Sequence, residues 1–285
     1  MRKYKYTVSE EYNLSDLQTY LKKAHGYSKR LIIELKRGGI SVNGNHLRMI
    51  DKVHTGDLIQ IEFSDNSKKL IPNPDLNVPV FYEDQDVIVF DKPADMPVHP
   101  SALHYDDTLG NYFSALFEKE EIAFRPINRL DRDTTGLCIS AKNTLSAFKI
   151  ASTLEKEYTA IVEGVLENKE GTIDLPLIRV SGSIITRKVD KNGKRAVTHY
   201  KVIEQFSDKT VVLIKLETGR THQIRVHFSY IGHPLKGDTL YGSKSTDISR
   251  HALHCSKLRF VHPETKEIIE IVSPLPEDMQ KLRND

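Results

Sequence analysis

The protein has 285 residues, of which 39% are hydrophobic and 28% are charged. This composition can fill a packed core, argues against disorder and predicts one or two domains. No run of about 18 apolar residues occurs, so no membrane span is expected, and the first residues lack the apolar stretch of a signal peptide. The two cysteines, Cys138 and Cys255, make a disulfide framework unexpected and predict a cytoplasmic location.

The net charge of +2 is unevenly distributed along the chain. Residues 1–64 carry +4, residues 65–125 carry −7 and residues 126–285 carry +5. Two basic regions beside a near-neutral total fit a protein with polyanion-facing surfaces. Ordinary solvated faces explain the same charges equally well.

Residues 1–62 are predicted to form a small separate unit of two helices and a hairpin. The first helix is expected behind a Ser15 N-cap, and the second is expected to begin after Ser28 and to stop at Gly38-Gly39. The segment 40–45 predicts a strand entering an Asn-Gly turn, and residues 53–63 supply a further strand. The apolar positions of the two helices recur at helical spacing: Leu14, Leu17, Leu21, Leu31, Ile32 and Leu35.

Basic residues cluster on or between these two helices. A basic edge on a small helical unit is typical of an RNA-binding module. The stretch from Tyr27 to Phe63 resembles the alpha-L RNA-binding domain first known from a small-subunit ribosomal protein. The candidate RNA contacts are Lys29, Arg30, Lys36 and Arg37. Residues 63–79 are polar and contain proline, which predicts a linker to a second domain over residues 80–285.

The second domain mixes strands and helices without a regular alternation. Strands are predicted over 87–90, 137–141 and 211–217, and another runs through Tyr158. Thr108 is the expected N-cap of one helix, and Thr221 is that of another over 221–230 with Gly232 as its stop. The pattern favours an α+β fold over a doubly wound parallel sheet.

The octet RLDRDTTG, residues 129–136, lies between Pro126-Ile127 and a predicted apolar strand. Loops held by flanking strands often carry catalytic side chains. A salt-bridged turn fits the same residue types. The residues alone leave both interpretations open.

Four stretches in order resemble the RluA family of RNA pseudouridine synthases. The octet resembles its catalytic loop, whose pattern is His-Arg-Leu-Asp followed by Thr-Ser/Thr-Gly. The others are DKPADMPVHP (91–100), KEYTA (156–160) and TGRTHQIRVH (218–227), the last followed by GHP (232–234) and GD (237–238). The resemblance covers roughly residues 80–275 and implies a mixed, largely antiparallel central sheet. Asn128 departs from the family pattern, which usually has histidine there.

The resemblance implies isomerisation of uridine to pseudouridine within RNA, either ribosomal or transfer RNA. The reaction is redox-neutral, so neither a cofactor nor a metal is expected. Asp131 becomes the candidate catalytic carboxylate, acting as a nucleophile at C1′ or as a base through a glycal. Arg225 is expected opposite Asp131, where its charge favours the ionised carboxylate. Tyr158 is expected to stack on the uracil and to assist proton removal at C5.

The target base must leave the RNA stack before it can react. Arg129 resembles the side chain that the family inserts, since a guanidinium can stack on bases and contact phosphate. The alternative for Arg129 is a brace of the loop through Asp133. The basic residues 187–195 around Asn192-Gly193 predict a hairpin that either touches phosphates or is simply solvated.

Two other functions stay open at this stage. One is an RNA-binding or ribosome-assembly factor that kept the fold without the activity. The other is a sugar hydrolase that uses Asp131 and Asp133 as a carboxylate pair. The cluster His251, His254 and Cys255 has metal-like spacing, but no second cluster completes a four-ligand site. RNA is the expected partner of a monomer, with no membrane and no metal.

Overall fold

The computed structural model describes residues 3–36, 38–62, 70–120 and 122–285. The six α-helices found there are α1 Leu17–His25, α2 Lys29–Leu35, α3 Leu109–Leu116, α4 Thr144–Ala151, α5 Gln223–Tyr230 and α6 Glu277–Asn284. The strands are β1 Lys3–Thr7, β2 Ile40–Val42, β3 Leu58–Glu62, β4 Val80–Glu83, β5 Val87–Lys92, β6 Arg125–Pro126, β7 Thr135–Ala141, β8 Glu155–Glu163, β9 Glu170–Asp174, β10 Leu177–Arg179, β11 Arg187–Val189, β12 Val197–Gln205, β13 Lys209–Leu216, β14 Leu253–Val261 and β15 Ile268–Val272. Short 3-10 helices cover Glu10–Tyr12 and Thr239–Tyr241.

The N-terminal residues form a three-stranded antiparallel sheet in the order β1-β3-β2, with α1 and α2 packed beside it. The Asn-Gly turn is present, since Asn43 and Gly44 both have positive φ. Strand β2 pairs with β3 rather than with the residues directly after that turn, apart from one bridge between Val42 and Asn45. Strand β1, which completes the sheet, was not predicted from the sequence.

The predicted N-cap of the first helix was wrong by one residue. The side chain of Asp16 accepts a hydrogen bond from the Thr19 backbone N–H at 2.9 Å. Ser15 instead donates its hydroxyl to the Tyr12 carbonyl. A carboxylate accepts this bond more strongly than a hydroxyl does and interacts favourably with the helix dipole. The Ser28 N-cap of α2 and the Thr108 N-cap of α3 are confirmed.

The large sheet has the order β4-β5-β7-β14-β8-β13-β12-β9, with β15 paired to β14 and β6 paired to β7. Within the ranges given above, β7 and β14 are its one parallel pair, and every other pairing is antiparallel. The α+β fold with a largely antiparallel sheet is therefore confirmed. Strand β7 is buried along its whole length, which is consistent with its apolar segment Leu137-Cys138-Ile139.

The parallel pairing of β7 and β14 decides where the functional loops meet. The segments that precede the two strands, 127–134 and 249–252, reach the same edge of the sheet. The Thr134 hydroxyl lies 2.7 Å from His251 Nε2, and the Thr135 hydroxyl lies 2.9 Å from His254 Nδ1. Strand β5 runs antiparallel to β7 and pairs Lys92 with Gly136, so its C-terminal end arrives at this edge too.

The start of α5 also differs from the prediction. The N-cap is His222, which has a left-handed backbone conformation with φ 57° and no side-chain cap. Thr221 lies one residue before it. The Gln223 side chain stabilises this turn instead. Its amide oxygen accepts a hydrogen bond from the Arg220 backbone N–H, and its amide nitrogen donates to the Val197 carbonyl. The helix ends at Tyr230, and Gly232 follows with positive φ as expected.

The N-terminal unit contacts the larger domain through α4. Leu145 of α4 is buried in the same apolar cluster as Leu17 and Ile59, and Tyr4 donates a hydrogen bond to Asn143. Residues 70–79, predicted as part of a linker, contain no strand or helix but lie against α3, where Asn111 donates to the Ile71 carbonyl. The division into residues 1–62, 63–79 and 80–285 stays a prediction.

Gly136 lies where β7 and β14 approach each other closely. Its φ is +104°, and a Cβ there would come within 2.4 Å of the Cys255 carbonyl oxygen. Gly136→Ala is expected to lower the free energy of unfolding by more than about 3 kcal/mol, because a backbone clash adds to backbone strain. Gly242 has φ +102° with no atom within 4 Å of a built Cβ, so Gly242→Ala is expected to cost only about 1–2 kcal/mol. Urea unfolding measures both, and equal losses would refute the close approach of the two strands.

Candidate active site

A cavity of about 520 Å³ opens at the edge of the large sheet where the loops converge. Its walls come from the loop 127–134, from β8 and from the N-terminal end of α5, with residues 98–101 at one side. This volume lies within the usual range of small-molecule sites. The cavity contains Asp131, Tyr158, Arg225 and Arg129 together, although they are up to 96 residues apart in sequence.

Asp131 lies in the tight turn before β7, where the Thr134 backbone N–H bonds to its carbonyl at 3.1 Å. Its side chain is 27% exposed. Arg225 and His222 approach the same carboxylate oxygen of Asp131. Arg225 Nη1 is 3.3 Å from Oδ2, and His222 Nε2 is 3.8 Å from Oδ2. Within the described part of the chain, Oδ1 accepts no hydrogen bond. That oxygen is therefore available to a substrate.

Arg225 faces Asp131 as expected and is itself buried. Its Nε and Nη2 donate to the two carboxylate oxygens of Asp238 at 2.7 and 2.8 Å, which leaves Nη1 for Asp131. Burial alone lowers the pKa of the guanidinium, but the bonds to Asp238 and the charge of Asp131 raise it above its ordinary value. A permanent positive charge is thus fixed beside the candidate carboxylate. Asp238 belongs to the quoted GD pair, yet sequence reasoning gave it no role.

Tyr158 lies on β8 and lines the cavity, and its side chain is almost fully buried. Burial raises its pKa well above the ordinary value, and the neighbouring Cys255 thiol and Asp131 carboxylate add to the rise. These neighbours act against a phenolate, whereas the expected base role required help in forming one. The surroundings of Tyr158 therefore oppose the base role that the resemblance implies.

The contacts of Asn128 explain how it fits the position where the family pattern usually has histidine. It is buried, donates to the Leu137 carbonyl at 3.0 Å and accepts from the Ile139 backbone N–H at 2.8 Å. The amide carries one donor and one acceptor on the same side chain, so it pairs two groups of β7 at once. Asn128 therefore fastens the start of the loop to the strand that follows it.

Lys92 is a loop anchor that sequence reasoning missed. Its ammonium is buried and donates to the carbonyls of Pro93, Met96 and Arg132, at 2.6, 2.8 and 2.8 Å. Burial lowers its pKa to about 8. It joins the segment 93–96 to the loop that carries Asp131. A lysine inside a quoted motif was the available signal, but no sequence pattern shows that an ammonium will find three carbonyls.

Arg129 is exposed at the cavity and does not brace the loop through Asp133. That carboxylate is paired with Arg132, whose Nε lies 3.2 Å from it. Asp133 and Arg132 line a second cavity of about 490 Å³, on the far side of Arg225 and His222. Asp131 and Asp133 thus face different spaces, which is poor geometry for a carboxylate pair around one glycosidic bond.

The candidate RNA contacts of the N-terminal unit lie away from this cavity's lining. Lys29 and Lys36 are exposed, at the start of α2 and just after its end. The side chain of Arg30 and the whole of Arg37 lie outside what the structure describes. The hairpin predicted over residues 187–195 is not formed as expected. A turn does occur at 190–193, but β11 before it pairs with β10, and Lys194 after it bridges to Leu177 of β10 rather than to β11.

Comparison with known proteins places this cavity in a family. The model of the RNA pseudouridylate synthase family matches residues 86–230, which include the Asp131 loop, β8 and α5. The chain therefore belongs to the RNA pseudouridine synthase family, and its reaction is the isomerisation of uridine to pseudouridine in RNA. Helices long and apolar enough to cross a membrane do not occur in the described ranges.

Two bacterial relatives and one human structure show how far the similarity extends. An uncharacterized RNA pseudouridine synthase, YjbO of Bacillus subtilis, is 39% identical over 90% of this chain and 94% of its own. The ribosomal large subunit pseudouridine synthase D of Vibrio cholerae is 39% identical over 87% of this chain and 83% of its own. Human RNA pseudouridylate synthase domain containing 1 superposes with a TM-score of 0.59 at 28% identity, covering 72% of this chain and 86% of that one.

Proposed function

We propose that Asp131 is the catalytic carboxylate and that the substrate is a uridine in large-subunit ribosomal RNA. The observation that carries the proposal is the Arg225 guanidinium, fixed by Asp238 and placed 3.3 Å from Asp131 Oδ2 inside the cavity. A guanidinium held in this way gives the Asp131 carboxylate a fixed electrostatic partner inside the cavity.

On the nucleophilic route, Asp131 Oδ1 attacks C1′ of the ribose. The C1′–Oδ1 bond forms as the C1′–N1 bond breaks, and the electron pair leaves with the uracil anion. The ring turns, its C5 attacks C1′, and the carboxylate leaves with its own electron pair. Loss of the C5 proton then restores the aromatic ring. On the glycal route, Asp131 takes the C2′ proton as the C1′–N1 bond breaks, and it returns that proton to C2′ when C5 of the turned ring bonds to C1′. On both routes C5 loses its proton to solvent and N1 takes one up.

The surroundings of Asp131 suit a base that has left its stack. Tyr158 offers a buried ring inside the cavity, and Arg129 is exposed beside it with a guanidinium that can stack on RNA bases. Flipping costs a few kcal/mol, which such contacts offset. Arg129 therefore fills or props the gap that the target uridine leaves.

The choice of RNA rests on a relative and on the N-terminal unit. The Vibrio cholerae relative, 39% identical, is a ribosomal large subunit pseudouridine synthase. Residues 27–63 carry the alpha-L resemblance, and Lys29 and Lys36 present exposed charges on that unit. We assign these lysines, with Arg30 and Arg37, to contacts with RNA phosphates. The protein would act as a cytoplasmic monomer without a metal, as expected from its sequence.

Tritium release from uridine C5 tests the catalytic assignment. Large-subunit ribosomal RNA is transcribed in vitro with C5-tritiated UTP, so that every uridine is unmodified. Asp131→Asn keeps the shape of the side chain and removes its charge. It is expected to lower the release rate by more than about 10⁴-fold, as loss of an essential nucleophile does. Asp133→Asn, the matched control in the same loop, is expected to react at the wild-type rate.

The other outcomes separate the competing functions. Release of tritium-labelled free uracil by wild type, without tritium in the water, and loss of that product in both variants would support the sugar hydrolase. Binding of the transcript by wild type without tritium release would count against the ribosomal target. Release by Asp131→Asn at the wild-type rate would remove Asp131 from the chemistry.

A salt titration tests the role of the N-terminal unit. Replacing Lys29 and Lys36 with glutamine removes two phosphate contacts, so the slope of log K against log salt should fall by about 1.4 for single-stranded RNA. The rate at saturating RNA should stay unchanged, because neither residue lines the cavity. Filter binding measures the slope. The control is Lys281→Gln on α6, which is exposed as well. An unchanged slope in the double variant would contradict RNA binding by this edge.

A further inference from the structure

His222 holds an unusual place beside the candidate carboxylate. It begins α5 with φ 57°, in the left-handed region that a residue other than glycine adopts uncommonly. This conformation aims the imidazole into the site, where only 10% of the side chain is exposed. Nδ1 lies 2.8 Å from the Tyr241 hydroxyl oxygen, and Nε2 lies 3.8 Å from Asp131 Oδ2. Strained backbone of this kind is often found where a side chain must be aimed at a functional site.

The Tyr241 hydroxyl decides which imidazole nitrogen carries the proton. The Arg187 backbone N–H donates to the Tyr241 oxygen at 3.0 Å, and an amide N–H can only donate. The phenol proton then needs an acceptor, and His222 Nδ1 is the one that the described residues supply. Burial raises the pKa of Tyr241, so the phenol keeps this proton at neutral pH. Nδ1 is thereby the acceptor, and the imidazole proton is on Nε2, facing Asp131.

The imidazole stays neutral in this position. Burial is the largest cause that lowers the pKa of His222, and the Arg225 charge adds to it, while Asp131 opposes both. Nε2–H is therefore an uncharged donor directed at Oδ2. The separation of 3.8 Å is longer than a hydrogen bond, but active-site bonds commonly tighten in the substrate complex.

We infer that Tyr241 and His222 are positioning residues for Asp131. The Arg187 backbone N–H donates to the Tyr241 hydroxyl, and that hydroxyl donates to His222 Nδ1. The His222 Nε2–H is then directed at Asp131 Oδ2. The inference rests on the proposed catalytic role of Asp131. Two donors, Arg225 and His222, then hold Oδ2 and turn Oδ1 toward the ribose. A second full cation at this point would lower the nucleophilicity of the carboxylate, whereas a neutral N–H orients it with less effect on its charge.

Tyr241 supports both partners of Asp131. Its ring lies under the Arg225 guanidinium, 5.1 Å from the guanidinium carbon to the ring centroid, and its hydroxyl sets the His222 tautomer. It ends the 3-10 turn Thr239–Tyr241, directly after Asp238. One short turn thus supplies the carboxylate that fixes Arg225, the ring beneath it and the hydroxyl that orients His222.

The tautomer is measured without any substrate, so this arm is independent of the proposed function. Nitrogen-15 NMR of protein labelled at histidine distinguishes a protonated ring nitrogen from an unprotonated one, and the signals missing in His222→Asn assign His222. Wild type is expected to show Nε2 protonated and Nδ1 unprotonated at pH 7. A proton on Nδ1, or on both nitrogens, would overturn the inference.

The contribution to catalysis is measured with Tyr241→Phe, which keeps the ring under Arg225 and removes only the hydroxyl. Its kcat for tritium release is expected to fall about tenfold with KM unchanged, the effect of losing one hydrogen bond to a charged group. Tyr230→Phe is the matched control, since Tyr230 is exposed on α5 and outside the site. Asparagine tolerates the left-handed conformation, so His222→Asn preserves the backbone while its shorter side chain withdraws the donor.

The double variant separates a relay from two independent structural effects. If Tyr241 acts through His222, Tyr241→Phe costs nothing further in the His222→Asn background. Additive losses, or a wild-type kcat in Tyr241→Phe, would overturn the relay even though wild type and Asp131→Asn behave as proposed. Failure of the proposed function gives a different result, in which wild type itself releases no tritium while the NMR arm still reports the tautomer.

Discussion

A buried guanidinium without partners would be strongly destabilising, and Arg225 occupies such a position at the centre of the site. Asp238 makes the position tenable by accepting two of its N–H groups at 2.7 and 2.8 Å. The remaining guanidinium nitrogen, Nη1, is then held in one direction, and it donates to Asp131 Oδ2. The ion pair with Asp238 thus aligns the charge that faces Asp131, the proposed catalytic carboxylate.

The large sheet brings together the segments that surround Asp131. Because β7 and β14 are parallel, the loop before β7 lies beside the segment before β14, and Thr134 bonds to His251. Lys92 at the end of β5 then secures the loop from the other side through the Arg132 carbonyl. Asp131 is held by backbone and second-layer contacts, which leave its carboxylate half-exposed and one oxygen free for substrate. Such support is what fixes a catalytic side chain to within a fraction of an ångström.

The sequence predicted the elements that depend on local patterns. Ser28 and Thr108 cap their helices, β7 is an apolar strand, and Arg225 faces Asp131, as the family resemblance implied. The misses depend on tertiary contacts. The strand β1 is polar on one face and pairs with residues far along the chain. The N-cap of α5 is His222 rather than Thr221, at a turn that the Gln223 side chain fixes through its bonds to Arg220 and Val197. The contacts of Lys92, Asp238 and Tyr241 join segments that are separate in the sequence, so no local pattern predicts them.

If Arg225 acts by providing an aligned charge to Asp131, a single-turnover measurement of Arg225→Lys will reveal it. Lysine keeps the charge but cannot donate to Asp238 in two places and also reach Asp131. The rate of tritium release from the C5-labelled ribosomal transcript should fall about 10²-fold while RNA affinity stays at the wild-type level. Arg259→Lys, at an exposed pair with Glu155, controls for the exchange itself. A wild-type rate in Arg225→Lys would show that a positive charge suffices without the alignment that Asp238 imposes.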